Sequence, residues 1–172
     1  ARRRSSGRQA VTAVAAGVIL AAAAHSAAGA AHAAARPPSG AAAQVIAYAR
    51  AQLGCPYVWG GTGPCRSGLD CSGLVMDAYA SAGVSIPRTS QEQWAAGPQV
   101  STPLPGDLVF FAGGDGTVSA PGHVGVVVDP ARHLMIDAYA AGTNVRYDTY
   151  GLPGSAGGLT DPVGFTQPWG HG

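Results

Sequence analysis

A cysteine set at the start of a helix, with a histidine able to reach it, makes an acyl-transfer site, and this sequence offers both. In Leu69-Asp70-Cys71-Ser72-Gly73-Leu74-Val75 the apolar positions Leu74, Val75, Ala78, Tyr79 and Ala82 recur at helical spacing, which puts Cys71 in the first turn. The unpaired N–H groups and the positive dipole end of a helix N-terminus favour a thiolate, the nucleophilic form of cysteine. A buried core cysteine is the competing reading, and a base in reach argues against it. Such a base stands in Pro121-Gly122-His123-Val124-Gly125-Val126-Val127-Val128, which an Asp129-Pro130-Ala131 turn joins to Arg132-His133-Leu134-Met135-Ile136-Asp137-Ala138. Two apolar runs around a turn predict an antiparallel hairpin. Pairing Val128 with Arg132 sets Val126 against Leu134, Val124 against Ile136, and His123 directly opposite Asp137. The aliphatic pairs then share the face to be buried, and imidazole and carboxylate share the other. An imidazole held by a carboxylate is an oriented general base, so Cys71, His123 and Asp137 form the predicted catalytic set.

The elements that must position these residues follow from the same patterning. Val45, Ile46, Ala49 and Leu53 predict a helix over Ala41 to Leu53 that stops at Gly54. The turn-rich run from Cys55 to Cys65 leads into the Cys71 helix, and a short helix is expected from Ser90 to about Ala96. Asp107 to Phe111, Val145 to Tyr150 and Gly164 to Gln167 read as strands, with the Gly-rich loop Ala112 to Gly122 delivering the chain to His123. Helices first and a mostly antiparallel sheet after them give an α+β class. His133 is expected to be exposed at the turn end. Trp59, Trp94 and Trp169 are expected to pack, with Trp59 a candidate for the floor of the cleft as well.

Arg2, Arg3, Arg4 and Arg8 precede an Ala-rich apolar run and the small-residue stretch Ala31-His32-Ala33, the order of a secretory signal peptide over residues 1–33, followed by a linker over residues 34–41. The whole chain carries a formal charge of +1. Beyond Ala33 six arginines face nine acids, a net −3, so no basic stripe exists to hold nucleic acid or an anionic membrane. A secreted, extracellular location is expected, with no stable membrane association once the leader is removed, and the mature chain is read as a monomer.

The three cysteines, Cys55, Cys65 and Cys71, lack the tandem two-residue spacing of zinc sites, and neither metal nor other cofactor is expected. In an exported chain two should pair and one remain. Cys55 with Cys65 leaves Cys71 free; Cys65 with Cys71 would silence it.

The strings PYVWGG at Pro56 to Gly61, LDCSGLV at Leu69 to Val75, PRTSQEQ at Pro87 to Gln93, PGDLVFF at Pro105 to Phe111 and GHVGVVV at Gly122 to Val128 stand in one order. With them the chain resembles the NlpC-type cell-wall cysteine peptidases over residues 42–168, leaving residues 169–172 as a tail. The resemblance implies a papain-like fold, N-terminal helices packed on the sheet, cleavage of peptidoglycan stem peptides, and cell-wall association. It implies Cys71 as nucleophile, His123 as base and Asp137 as third polar residue, where relatives commonly carry His or Glu. The Cys71 N–H and, by the resemblance, the Tyr57 hydroxyl would hold the oxyanion. Asp70 and Ser72 would meet a free amine of a trimmed stem peptide, and Arg88 a substrate carboxylate. Their structural alternatives are a helix N-cap for Asp70 and a solvated loop charge for Arg88. The implied activity is a secreted endopeptidase cutting between D-glutamate and the diamino acid. An amidase or acyltransferase on the same Cys-His fold and a non-catalytic wall-binding module are the competing functions.

Overall fold

The computed structural model describes residues 40–113 and 115–170, so the leader, most of the linker, and His171 lie outside the described residues. Helix α1, Ala41–Ala51, buries Val45, Ile46 and Ala49. It ends earlier than its apolar pattern suggests. The N–H of Gln52 bonds back to the Ala49 carbonyl at 3.1 Å, and Gly54 adopts φ +88°, which leaves Leu53 38% exposed. Helix α2, Cys71–Ser81, opens on Asp70, whose carboxylate accepts from the Gly73 N–H at 2.7 Å and so caps it. Its Leu74, Val75, Ala78 and Tyr79 are buried against α1 and the sheet, each large apolar side chain contributing about 1.5–3 kcal/mol. Helix α3, Ser90–Ala96, starts from a reciprocal capping box between Thr89 and Glu92.

Six strands make one antiparallel sheet: β1, Gln99–Val100; β2, Leu108–Phe111; β3, His123–Asp129; β4, Leu134–Asp137; β5, Arg146–Thr149; and β6, Gly164–Thr166, in the spatial order β1-β6-β2-β3-β4-β5. Leu108, Phe110, Val124, Val126 and Ile136 face the helices; Val109, Phe111, Val127 and Met135 face a second cluster closed by Tyr150 and Leu159. Both faces of the sheet are therefore buried. Among the described residues no helix is long and apolar enough to cross a membrane.

The hairpin register differs from the expected one. Val126 pairs with Ile136 and Val127 with Met135, and a bulge shifts the register before Asp129 meets Leu134. The cause lies in the turn: Pro130–Arg132 forms a 3-10 turn capped by the Asp129 carboxylate, and His133 takes φ +52°, so the connection is longer than a tight turn. The shift is two residues. The side chains on the His123 side of the bulge, His123 and Asp137 among them, consequently stay on their predicted faces, although their partners change.

Two further features correct or complete the expectations. Trp169, assigned to the tail, is 8% exposed, stacks 4.7 Å from the Tyr79 ring and donates to the buried Asp107 carboxylate at 3.2 Å. Cys55 and Cys65 form a disulfide, and Cys71 is free. Replacing both bridged cysteines by serine is expected to lower unfolding free energy by about 2.5–3 kcal/mol, the loop-entropy value for closing a ten-residue loop, as read by urea denaturation. Iodoacetamide labelling of the native variant should still modify Cys71.

Candidate active site

The Cys71 sulfur sits at the mouth of α2, 3.9 Å from the Gly122 carbonyl, so the helix start meets the start of β3 there. Gly73 allows that helix start to lie against the preceding loop, because a Cβ at this position would collide with the Gly61 carbonyl. Backbone bonds lace the same loop down: Val58 N–H to Leu69 O at 3.1 Å, Leu69 N–H to Pro56 O at 3.1 Å, and Asp70 N–H to Gly61 O at 3.0 Å.

His123 is the first residue of β3, walled by the Phe111 ring at 5.8 Å and the Tyr139 edge at 5.7 Å. Asp137 Oδ2 accepts from its Nε2 at 2.8 Å. A carboxylate only accepts, so Nε2 carries the proton and Nδ1 is left for the Cys71 side. The corrected register explains how they meet. Asp137 lies beside Gly125, where an added Cβ would stand 3.4 Å from the Asp137 Cβ. The missing side chain opens the diagonal, and the carboxylate reaches one pair further along to His123. Burial pulls the His123 pKa down, but the Asp137 and Cys71 hydrogen bonds and charges outweigh it and push it up to about 10. The raised pKa favours the imidazolium, the form in which a histidine can act as a general acid.

Tyr57 is half-buried beside Cys71. Its pKa is pushed up to about 12, first by burial and then by the charges of Cys71, Asp70 and Asp115, so its hydroxyl keeps the proton that an oxyanion donor needs. Asp70 accepts from Gly73 N–H, Gly60 N–H, Ser72 Oγ and both terminal nitrogens of Arg88, at 2.7 to 3.3 Å. It is the helix cap, and Arg88 is its bidentate partner rather than a solvated charge. With five donors on one carboxylate, little acceptor capacity remains for a substrate amine. The Arg88 charge is likewise committed to Asp70 rather than offered to a substrate carboxylate. Arg88 also donates to Ser72 Oγ at 2.9 Å, so Asp70, Ser72 and Arg88 form one rigid wall.

Gln93 escaped sequence reasoning. Its amide donates to the Ser72 and Pro87 carbonyls at 3.1 and 2.8 Å, pinning α3 to the nucleophile turn, and only its place in PRTSQEQ hinted at it. Trp59, expected to pack or to floor the cleft, is 74% exposed and lines the cleft at its rim. Trp94 packs edge-on to Phe110 at 5.2 Å. His133 is half-buried with Nδ1 3.1 Å from the Tyr150 carbonyl, and it does not line the cleft.

Cys71 divides that cleft. On one side a hollow of about 350 Å³ is walled by Asp70, Ser72 and Arg88; on the other, about 700 Å³ lies among Phe111, His123, Tyr139, Leu159 and Asp161. A separate hollow of about 670 Å³ beside Ile86 and Trp169 has neither cysteine nor histidine on its walls.

A model of the NlpC/P60 family matches residues 54–155. The chain belongs to the NlpC/P60 family. The matched span contains Tyr57, Cys71, His123 and Asp137. "Probable endopeptidase p60" of Listeria monocytogenes is 43% identical over 106 residues, 60% of this chain and 20% of that protein. The "bifunctional muramidase/DL-endopeptidase CwlT" of Bacillus subtilis is 48% identical over 81 residues, 46% of this chain and 24% of that protein. The chain thus spans about a quarter or less of these curated relatives. Among solved structures, an NlpC/P60 family protein from Bacillus cereus superposes with TM-score 0.65 at 31% identity, covering 78% of this chain and 41% of that one. The peptidoglycan hydrolase RipB from Mycobacterium tuberculosis gives TM-score 0.60 at 28% identity, covering 79% and 70%. The family's papain-like α+β fold is the fold of this chain.

Proposed function

We propose that this protein is a secreted cysteine endopeptidase of the bacterial cell wall, hydrolysing the bond between D-glutamate and the diamino acid of peptidoglycan stem peptides. The observation that carries the reading is a free thiol at a helix start, next to an imidazole that a buried carboxylate holds at 2.8 Å. The names of the relatives CwlT and RipB support the substrate class and the bond. The disulfide fits an oxidising compartment, which supports export.

In this reading the Cys71 thiolate attacks the D-glutamyl carbonyl carbon, and the carbonyl oxygen takes the charge between the Cys71 N–H and the Tyr57 hydroxyl. His123 then gives its Nδ1 proton to the leaving amine as the C–N bond breaks, leaving a thioester on Cys71. Neutral His123 next takes a proton from water, whose hydroxide attacks the thioester and returns the free thiolate and imidazolium. Asp137 fixes the tautomer throughout. The hollow beside Asp70, Ser72 and Arg88 takes the acyl side, and the larger one takes the diamino acid.

Mass analysis of purified muropeptides after incubation tests the bond. Products that retain sugar, L-alanine and D-glutamate, with the diamino-acid portion released, are expected. Release of an intact stem peptide from the sugar would make the protein an amidase, and unaltered muropeptides would remove the catalytic reading.

A further inference from the structure

Asp137 is fully buried, yet only its Oδ2 has a partner; among the described residues nothing bonds to Oδ1. A buried carboxylate oxygen without a donor favours the neutral acid, and a neutral Asp137 could not stabilise an imidazolium. The register of β4 with β5 shows what stands nearby. Asp137 pairs with Arg146 and Met135 with Asp148, so the four share one face and Asp148 lies on the diagonal from Asp137. Arg146 does not fill the gap. Its Nε is 2.7 Å from Asp148 Oδ2, and its guanidinium lies over the Tyr139 ring at 5.3 Å. Asp148, its side chain 13% exposed, thus has one oxygen held by Arg146, and among the described residues its other oxygen accepts no hydrogen bond.

We propose that Asp148 is a positioning residue of the catalytic site: it keeps its proton and donates it to Asp137 Oδ1, so that the two carboxyls share one negative charge, held on Asp137 against His123. The proposal rests on the reading of Cys71, His123 and Asp137 as the catalytic set. The charged and titratable groups around the pair are few: His123 from β3, Arg146 from β5, Tyr139 beyond the end of β4, and Cys71 behind His123. Burial raises the Asp148 pKa, and the Asp137 charge and hydrogen bond push the same way against Arg146. Were both carboxyls ionised, two like charges would meet in a buried place. Were the proton on Asp137 instead, the imidazolium would lose its counter-ion. Protonation of Asp148 avoids both.

Carboxyl carbon NMR of aspartate-labelled protein reads the proton without any turnover. Asp148 should titrate above the ordinary aspartate value of about 3.9 and should fall back toward it in Asp137→Asn. Cys71→Ala should leave that titration in place, which separates this proposal from the proposed activity. In kinetics, Asp148→Ala leaves Asp137 Oδ1 without a donor and so weakens the hold of Asp137 on the imidazolium. The acid limb of kcat/KM should then move to higher pH and kcat should drop about tenfold to a hundredfold, part of what general acid–base catalysis contributes. Asp148→Asn supplies an amide N–H to the same oxygen and should restore the limb and most of the rate. Titration of Asp148 in the ordinary range overturns the shared proton whatever the activity. Equal losses in the alanine and asparagine variants with an unmoved acid limb would reduce Asp148 to a structural residue.

Discussion

Cys71→Ala is expected to fold as the parent does and to cut stem peptides at least about 10,000-fold more slowly. The expected loss is large because Cys71 supplies the one free thiol, Cys55 and Cys65 being bonded to each other, and an alanine has no atom to take the acyl group. Folding should survive because the turn that carries the sulfur is held by other groups. The Asp70 cap, the Arg88 pair and the Gln93 amide remain, and α2 is anchored by Leu74, Val75 and Tyr79. Chromatography of muropeptide digests gives the rate, and thermal melting gives the fold. Hydrolysis at the parental rate by the folded variant would sink the mechanism.

Asp137→Ala should lower turnover by roughly two to four orders of magnitude, less than loss of the nucleophile, since the base stays but is poorly held and in mixed tautomers. Asp137→Asn separates charge from shape. Its oxygen still accepts from Nε2, but the negative charge that opposed the effect of burial on His123 is gone. The pKa of His123 therefore falls. Because the imidazolium must protonate the leaving amine, the alkaline limb of kcat/KM should move from near 10 in the parent toward neutral pH in Asp137→Asn. A pH profile on a stem-peptide substrate measures the shift, and an unmoved limb would detach Asp137 from His123. His133→Ala is the control: its ring is bonded to the Tyr150 carbonyl, outside the cleft, and turnover should be retained.

How much of this was legible in the sequence depends on the range of the signal. The start of α2 was readable because apolar spacing and the Asp70 cap are local. The common face of His123 and Asp137 was readable too, since a two-residue period survives a shift of two. Their pairing was not, because the bulge near Val127 and the 3-10 turn at Pro130 to Arg132 carry no mark in residue type that fixes their length. Arg88 with Asp70, Trp169 with Asp107, and Asp148 beside Asp137 join distant or diagonal positions, which only the assembled sheet and helices bring together. The two-residue strand β1 is too short to show any alternation.

Trp59 gives the cleft an optical reporter. It is 74% exposed at the rim, whereas Trp94 and Trp169, the other two tryptophans in the chain, are packed against Phe110 and Tyr79. Indole emission follows the polarity around the ring, so the long-wavelength part of this protein's fluorescence belongs to Trp59. If the proposed stem peptide lies along the cleft, it displaces water from that ring and its docking is expected to shift the emission toward the blue. The signal arises on docking, before any bond is cut, and in Cys71→Ala it reports occupancy alone.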